Sequence, residues 1–138
     1  MPEPLPVKGE VIVSIRAAAL NHRDLFITHG LYAGIQLPVI LGSDGAGEYL
    51  PSYGSSRDST SKRVIIYPAL EWGNDPRFQN KIFRVLGMPE NGTFAEQISI
   101  PRANIFPMPE HLSWEQAAAL PLAGLTAWRT NYLIAVFH

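Results

Sequence analysis

The chain has 138 residues, 11 Lys and Arg against 12 Asp and Glu, a formal net charge of −1, and 46% hydrophobic residues. These values suit one soluble globular domain of modest size. No basic run exceeds the pair Lys62-Arg63, which argues against electrostatic capture of nucleic acid or an anionic membrane. The absence of cysteine removes disulfides, thiolate nucleophiles and every cysteine-ligated zinc or iron-sulfur centre.

The opening MPEPLPVKGE has neither the basic start nor the apolar run of a secretory signal, so a cytoplasmic location is expected. Residues 117–137 are long and apolar enough to raise a transmembrane question. Pro121, Arg129 and Asn131 lie inside that stretch, and a charge at mid-span is costly, so a buried or half-buried helix is expected instead.

In chain order, Val11, Val13 and Ile15 alternate with Ile12, Ser14 and Arg16, the period of two that marks a strand, ending near Ala18. Residues 24–29 carry a weak helical pattern stopped by Gly30. LPVILGSDGAGEYL predicts a strand that enters and leaves a bend or bulge at its glycines. Residues 51–62, rich in Ser, Gly and Pro, form a surface loop, and RVIIYP a strand ended by Pro68. Residues 69–90 lack a clean period and read as a long loop of the kind that often carries function. Asn91-Gly92 signals a turn that delivers a strand with Phe94, Ile98 and Ile100 on one side. NIFPMP is extended. Ser113 stands three residues before Gln116, a capping box that opens a helix through the alanines, with a break and restart at Pro121. Strands first and helix last predict a mainly β fold, a small, partly closed barrel with a C-terminal helical extension.

Gly42, Gly45 and Gly47 in LGSDGAGE have the spacing of a phosphate-binding turn. Such a turn needs a helix directly behind it, whereas EYLP and a proline-serine loop follow, so a sharp strand bend is the better reading.

GEVIVSIRAAALNHRDLFITHGLY, LPVILGSDGAGEY, KRVIIYP, NGTFAEQISIP and NIFPMPEHLSWEQAAALPLAGLTAW, in this order, resemble the catalytic domain of the medium-chain dehydrogenase/reductases. The resemblance runs from about Gly9 to Trp128 and is nearest to quinone-oxidoreductase-like and zinc-alcohol-dehydrogenase-like members. It implies a GroES-like β-barrel over residues 1–120, with 121–138 opening the helix that leads to a Rossmann domain. A nicotinamide cofactor, NADPH or NADH, would lie in the cleft between the two domains.

In zinc-dependent members the loop matching LGSDGAGE keeps His and Glu where this chain has Ser43 and Asp44. A cysteine ligand of those enzymes falls on Asn21, so the resemblance implies a zinc-free cleft. His22 and Asp24 have metal-binding atoms, but a solvent-facing His and a helix-starting Asp are the better readings. Without zinc, hydride transfer needs a hydrogen-bond donor at the developing oxyanion. The resemblance nominates Asn21 and Tyr32 as catalytic, and Asn21, Asp24 and Thr126 as cofactor-binding. The plain alternatives are a turn residue at Asn21, a ring packed in a loop at Tyr32, and a helix-surface threonine at Thr126.

The family's glycine-rich cofactor turn would follow His138. The chain is therefore expected to be the N-terminal part of a zinc-independent NAD(P)H oxidoreductase for a carbonyl, enone or quinone, inactive alone. The alternative is a non-catalytic truncated module that pairs with itself or with a full-length paralogue.

Overall fold

The computed structural model describes residues 4–49, 60–75 and 77–136, with the backbone alone over 132–136. Its strands are β1 (Glu10–Ala19), β2 (Asp44–Tyr49), β3 (Lys62–Ile66), β4 (Ala69–Leu70), β5 (Arg84–Leu86), β6 (Pro89–Glu90), β7 (Gln97–Pro101) and β8 (Ile105–Pro107). The α-helices are α1 (His22–Thr28), α2 (Trp114–Ala118) and α3 (Pro121–Val136). Five strands form an antiparallel sheet in the order β7-β1-β2-β3-β8, and β4-β5-β6 form a smaller one. The architecture is mainly β, a curled, partly open barrel with a helical C-terminal extension, as expected.

The alternation in β1 builds one face of the main core, where Val13 packs with Tyr49, Val64, Ile66, Ile98, Ile100 and Ile105. Each such buried aliphatic side chain contributes about 1.5–3 kcal/mol over leaving it in water. A bulge then changes the use of β1. Ile15 pairs with Gly47 and Ala17 with Ala46, so Arg16 is the extra residue. The bulge shifts the alternation by one, and Ala17 and Ala19 pack on the opposite face with Ala46, Met108, Ala117 and Ala118. Small residues on this face let α2 lie close against the sheet.

The bulge expected in the glycine-rich strand is therefore on its partner. The bend itself lies at Gly42, whose φ of +94° suits glycine and where a Cβ would meet Phe94 at 2.5 Å. The strand begins only at Asp44; residues 37–43 form no ladder. Among the described residues the glycines run on into strand, to Tyr49. Gly47 is small for a second reason, because a Cβ there would collide with the Ser14 carbonyl of β1.

Four other expectations change. Residues 69–90 hold the whole smaller sheet, and Trp72 stacks edge-on against Phe83 at 5.2 Å between ring centroids. Asn91-Gly92 does not close a hairpin. The Gly92 N–H donates to Ile40, Thr93 to Gly42 and Phe94 to Leu41, so the segment lies against 40–42 and Phe94 precedes β7. Helix α1 starts two residues earlier than expected. The 51–62 loop falls mostly outside the described residues, and Lys62 already belongs to β3. At the C-terminal end the Ser113–Gln116 capping box forms, α2 stops at Ala118, and α3 restarts at Pro121. Among the described residues no helix is long and apolar enough to cross a membrane.

Candidate active site

Asn21 stands between β1 and α1, in extended conformation, with its backbone N–H donating to the Asp24 carboxylate at 2.9 Å. Asp24 is the third residue of the helix, where a carboxylate meets free N–H groups and the positive end of the helix dipole. Its other oxygen accepts from the Gly42 N–H at 3.2 Å, and the residue is only 3% exposed. Asp24 therefore ties the helix start to the glycine bend.

The Asn21 side chain turns to a second buried carboxylate. Its Nδ2 donates to Asp44 Oδ2 at 3.0 Å, while Asp44 Oδ1 accepts the Leu122 N–H of α3 at 2.9 Å. Asp44 is 1% exposed, and its backbone carbonyl accepts the Thr93 hydroxyl at 2.7 Å. Burial pushes the Asp44 carboxyl above the ordinary aspartate range. The hydrogen bonds from Asn21 and Leu122 pull it partly back, and the Asp24 charge adds to the rise.

Ser43, fully buried, donates to the Leu86 carbonyl at 2.8 Å and accepts from the Arg23 guanidinium at 2.6 Å. Arg23 also donates to the carbonyls of Leu86 at 2.6 Å and Met88 at 3.1 Å. It lies over the Tyr32 ring, 5.3 Å from the centroid. The planar fork of arginine suits this task because several N–H groups reach several acceptors at once. Sequence reasoning assigns Arg23 no role. The available signal was its place between Asn21 and Asp24 in NHRD.

Asn21, Arg23, Leu122 and Thr126 line one hollow of about 450 Å³ between α1 and α3. Thr126 donates its hydroxyl to the Leu122 carbonyl at 2.8 Å, which leaves its lone pairs toward solvent. Tyr32 is about one-third exposed and does not line this hollow; Arg23 is the link between them. His22 is exposed and stacks on Phe26 at 5.4 Å. A larger hollow of about 1280 Å³, beside β7 and the smaller sheet, contains none of the nominated residues. Among the described residues, no group of three or more His, Asp or Glu side chains is placed to share a metal ion.

Chemically, the hollow between α1 and α3 offers an amide and a guanidinium as donors, a hydroxyl with free lone pairs, and two carboxylates behind them. Such an arrangement holds a neutral or electron-rich polar group and favours negative charge developing near Asn21 and Arg23.

Known proteins share this arrangement of strands and helices. The alcohol dehydrogenase GroES-like domain matches residues 7–110. The zinc-type alcohol dehydrogenase-like protein YogA of Leptosphaeria maculans is 34% identical over 92% of this chain, which spans 38% of that protein. A zinc-type alcohol dehydrogenase-like protein of Schizosaccharomyces pombe is 37% identical over 87% of the chain and 35% of its own length. The crystal structure of an NAD-dependent alcohol dehydrogenase superposes with a TM-score of 0.81 at 38% identity, over 94% of this chain and 40% of that one. The chain thus spans little more than a third of the curated relatives it matches. It belongs to the family of alcohol dehydrogenase GroES-like domains.

Proposed function

We propose that the chain is the substrate-side part of a zinc-independent oxidoreductase that moves a hydride between NADPH and a small carbonyl, enone or quinone. The carrying observation is the Arg23–Ser43 contact. Ser43 stands where the resemblance puts the histidine ligand of zinc-dependent members, and its oxygen is held at 2.6 Å by a guanidinium. A guanidinium stays protonated at any physiological pH, and a fixed cation opposes a divalent metal at the same oxygen. Asn21, at the cysteine position, offers an amide, and its Nδ2 already donates to Asp44. The donor set does not fit zinc. The words zinc-type in the relatives' names describe those proteins.

For the dinucleotide the residues do fit. Asn21 and Thr126 present polar groups to one hollow, and Asp24 holds Asn21 in place from behind. NADPH, when bound, supplies the hydride. The chain's own part is to orient the substrate oxygen and stabilise its growing charge, with the second Nδ2 proton of Asn21 and the Tyr32 hydroxyl as donors. Tyr32 enters on the family resemblance; its ring lies against the Arg23 guanidinium, outside the hollow itself. NADPH over NADH, a cytoplasmic location, and a homo-oligomer or a full-length paralogue as partner follow the family resemblance. On this reading the 138 residues alone hold the cofactor too weakly for turnover.

The test has three measurements. NADPH titrated into the 138-residue chain should leave its melting temperature unchanged, and a concentration-dependent rise would show a sufficient cofactor site. Metal analysis should find no stoichiometric zinc; one equivalent would sink the zinc-free cleft. A chimera in which the chain replaces the matching part of the solved NAD-dependent alcohol dehydrogenase should reduce an enone or quinone with NADH, the cofactor of that enzyme's own domain. Loss of that activity in Asn21→Ala should exceed about 100-fold, the range of a removed oxyanion donor.

A further inference from the structure

Two polar groups face the hollow from different parts of the chain, Asn21 at the start of α1 and Thr126 one turn inside α3. Neither element touches the other through a long interface, so something else has to set their spacing. Asp44 is placed to do so. Its Oδ2 accepts Asn21 Nδ2 at 3.0 Å, and its Oδ1 accepts the Leu122 N–H at 2.9 Å. Leu122 in turn accepts the Thr126 hydroxyl on its carbonyl at 2.8 Å. One buried carboxylate thus reaches both groups, one directly and one through the backbone of a single residue, Leu122.

We propose that Asp44 is the positioning residue of the cleft, its two oxygens fixing the Asn21 amide and the first turn of α3 at one spacing. The chemistry explains why a carboxylate is used. An ionised carboxylate only accepts, so it meets two N–H donors at once without a mismatch. It also forces Asn21 to turn Nδ2 rather than Oδ1 toward it, which decides which amide atoms remain for the cleft. At the first turn of α3 a negative charge further meets unsatisfied N–H groups and the positive end of the helix dipole. Thr93 anchors the backbone of Asp44 from behind, and Asp24 keeps the Asn21 backbone in register, so the carboxylate has little freedom of its own.

An isosteric change separates the two arms. In Asp44→Asn the new amide has one acceptor and one donor group, so Leu122 can keep its partner only if Asn21 turns over to present Oδ1. A general packing role has no such selectivity. The inference rests on reading Asn21 and Thr126 as the cleft's working groups, but its contacts are tested without cofactor. A failed NADPH experiment and a failed positioning role therefore appear in different measurements.

The experiment is amide NMR on the full 138-residue chain. In Asp44→Asn the Asn21 side-chain protons should lose about tenfold or more of their exchange protection while the Leu122 amide keeps its own, and in Asp44→Ala both should lose it. Unchanged Asn21 side-chain protection in Asp44→Asn, or unchanged Leu122 protection in Asp44→Ala, overturns the proposal. Should neither variant fold, Asn21→Ala in the native Asp44 background carries the test. Removal of one donor must then move the Asp44 carboxyl titration, followed by its 13C shift, further upward. An unmoved titration overturns the proposal equally.

Discussion

The Arg23 guanidinium donates to the buried Ser43 hydroxyl at 2.6 Å and to the Leu86 carbonyl at the same distance. One side chain of α1 thereby ties the glycine bend to the smaller sheet. Four groups depend on it, since the Met88 carbonyl and the Tyr32 ring also face the guanidinium.

Arg23→Met keeps much of the stem and removes the fork. It takes the Arg23 donor from the Met88 carbonyl and leaves the Leu86 carbonyl with Ser43, so unfolding in urea should show a loss of about 1–3 kcal/mol. Arg23→Lys keeps the charge without the fork and should fall between. Equal stability of Arg23→Met and the native chain would remove the tie.

Asp44 makes stability depend on pH in a direction unusual for aspartate. Its folded-state value lies above the ordinary 3.8, because burial penalises the charge while Asn21, Leu122 and Asp24 adjust it. The folded chain therefore binds the proton more tightly than the unfolded chain. This contribution is complete below about pH 3.8 and is lost as pH rises through the raised value. Asp44→Asn, neutral throughout, should lack that decline. Urea midpoints of the two proteins across pH 3 to 8 check it, and parallel curves would contradict it.

Asp75 acts in the opposite sense at lower pH. Its hydrogen bonds from Arg77 hold it at about 2, so its small contribution is present above 3.8 and fades as pH falls toward 2. The pair is exposed, so Asp75→Asn should change stability little at pH 7 and alter only the acid limb.

Two glycines should respond oppositely to alanine. A Cβ on Gly92 would run into the Gly42 carbonyl, where backbone faces backbone, and the variant should lose about 3 kcal/mol or fail to fold. Gly124 lies within α3 with open space around it, so alanine there should add about 0.5–1 kcal/mol. Thermal melts of the two variants are the check.

Arg129 of α3 sits 4.0 Å above the Trp72 ring and donates to the Arg77 carbonyl at 3.0 Å. A double-mutant cycle with Arg129→Ala and Trp72→Leu should give a coupling of about 0.5–2 kcal/mol. Amide exchange should rise in residues 71–83 when either partner is removed. Additive losses would show that helix and loop are held independently.

Much of the fold was legible along the chain because it rests on local signals. The alternation at Val11, Val13 and Ile15 marks β1, and Ser113 with Gln116 marks the start of α2. The smaller sheet was not legible. Its strands are two or three residues long, too short for a period, and exist because distant backbones pair. Asn91-Gly92 misled for a related reason. The glycine serves a close approach to Gly42, and the hairpin its dipeptide suggests never forms.

For the site, the sequence by itself determined which chemistry was on offer. It has no thiol, a serine and an aspartate in the glycine bend, and an asparagine after the first strand. Those are properties of side chains and need no fold. Only the tertiary structure decided how they are used. It sent Arg23 to Ser43 and the Asn21 amide to Asp44, and it brought Leu122 to a carboxylate 78 positions away. Hydrogen bonds of such reach leave no periodicity behind, because each depends on where the β1 bulge and the Gly42 bend aim the chain.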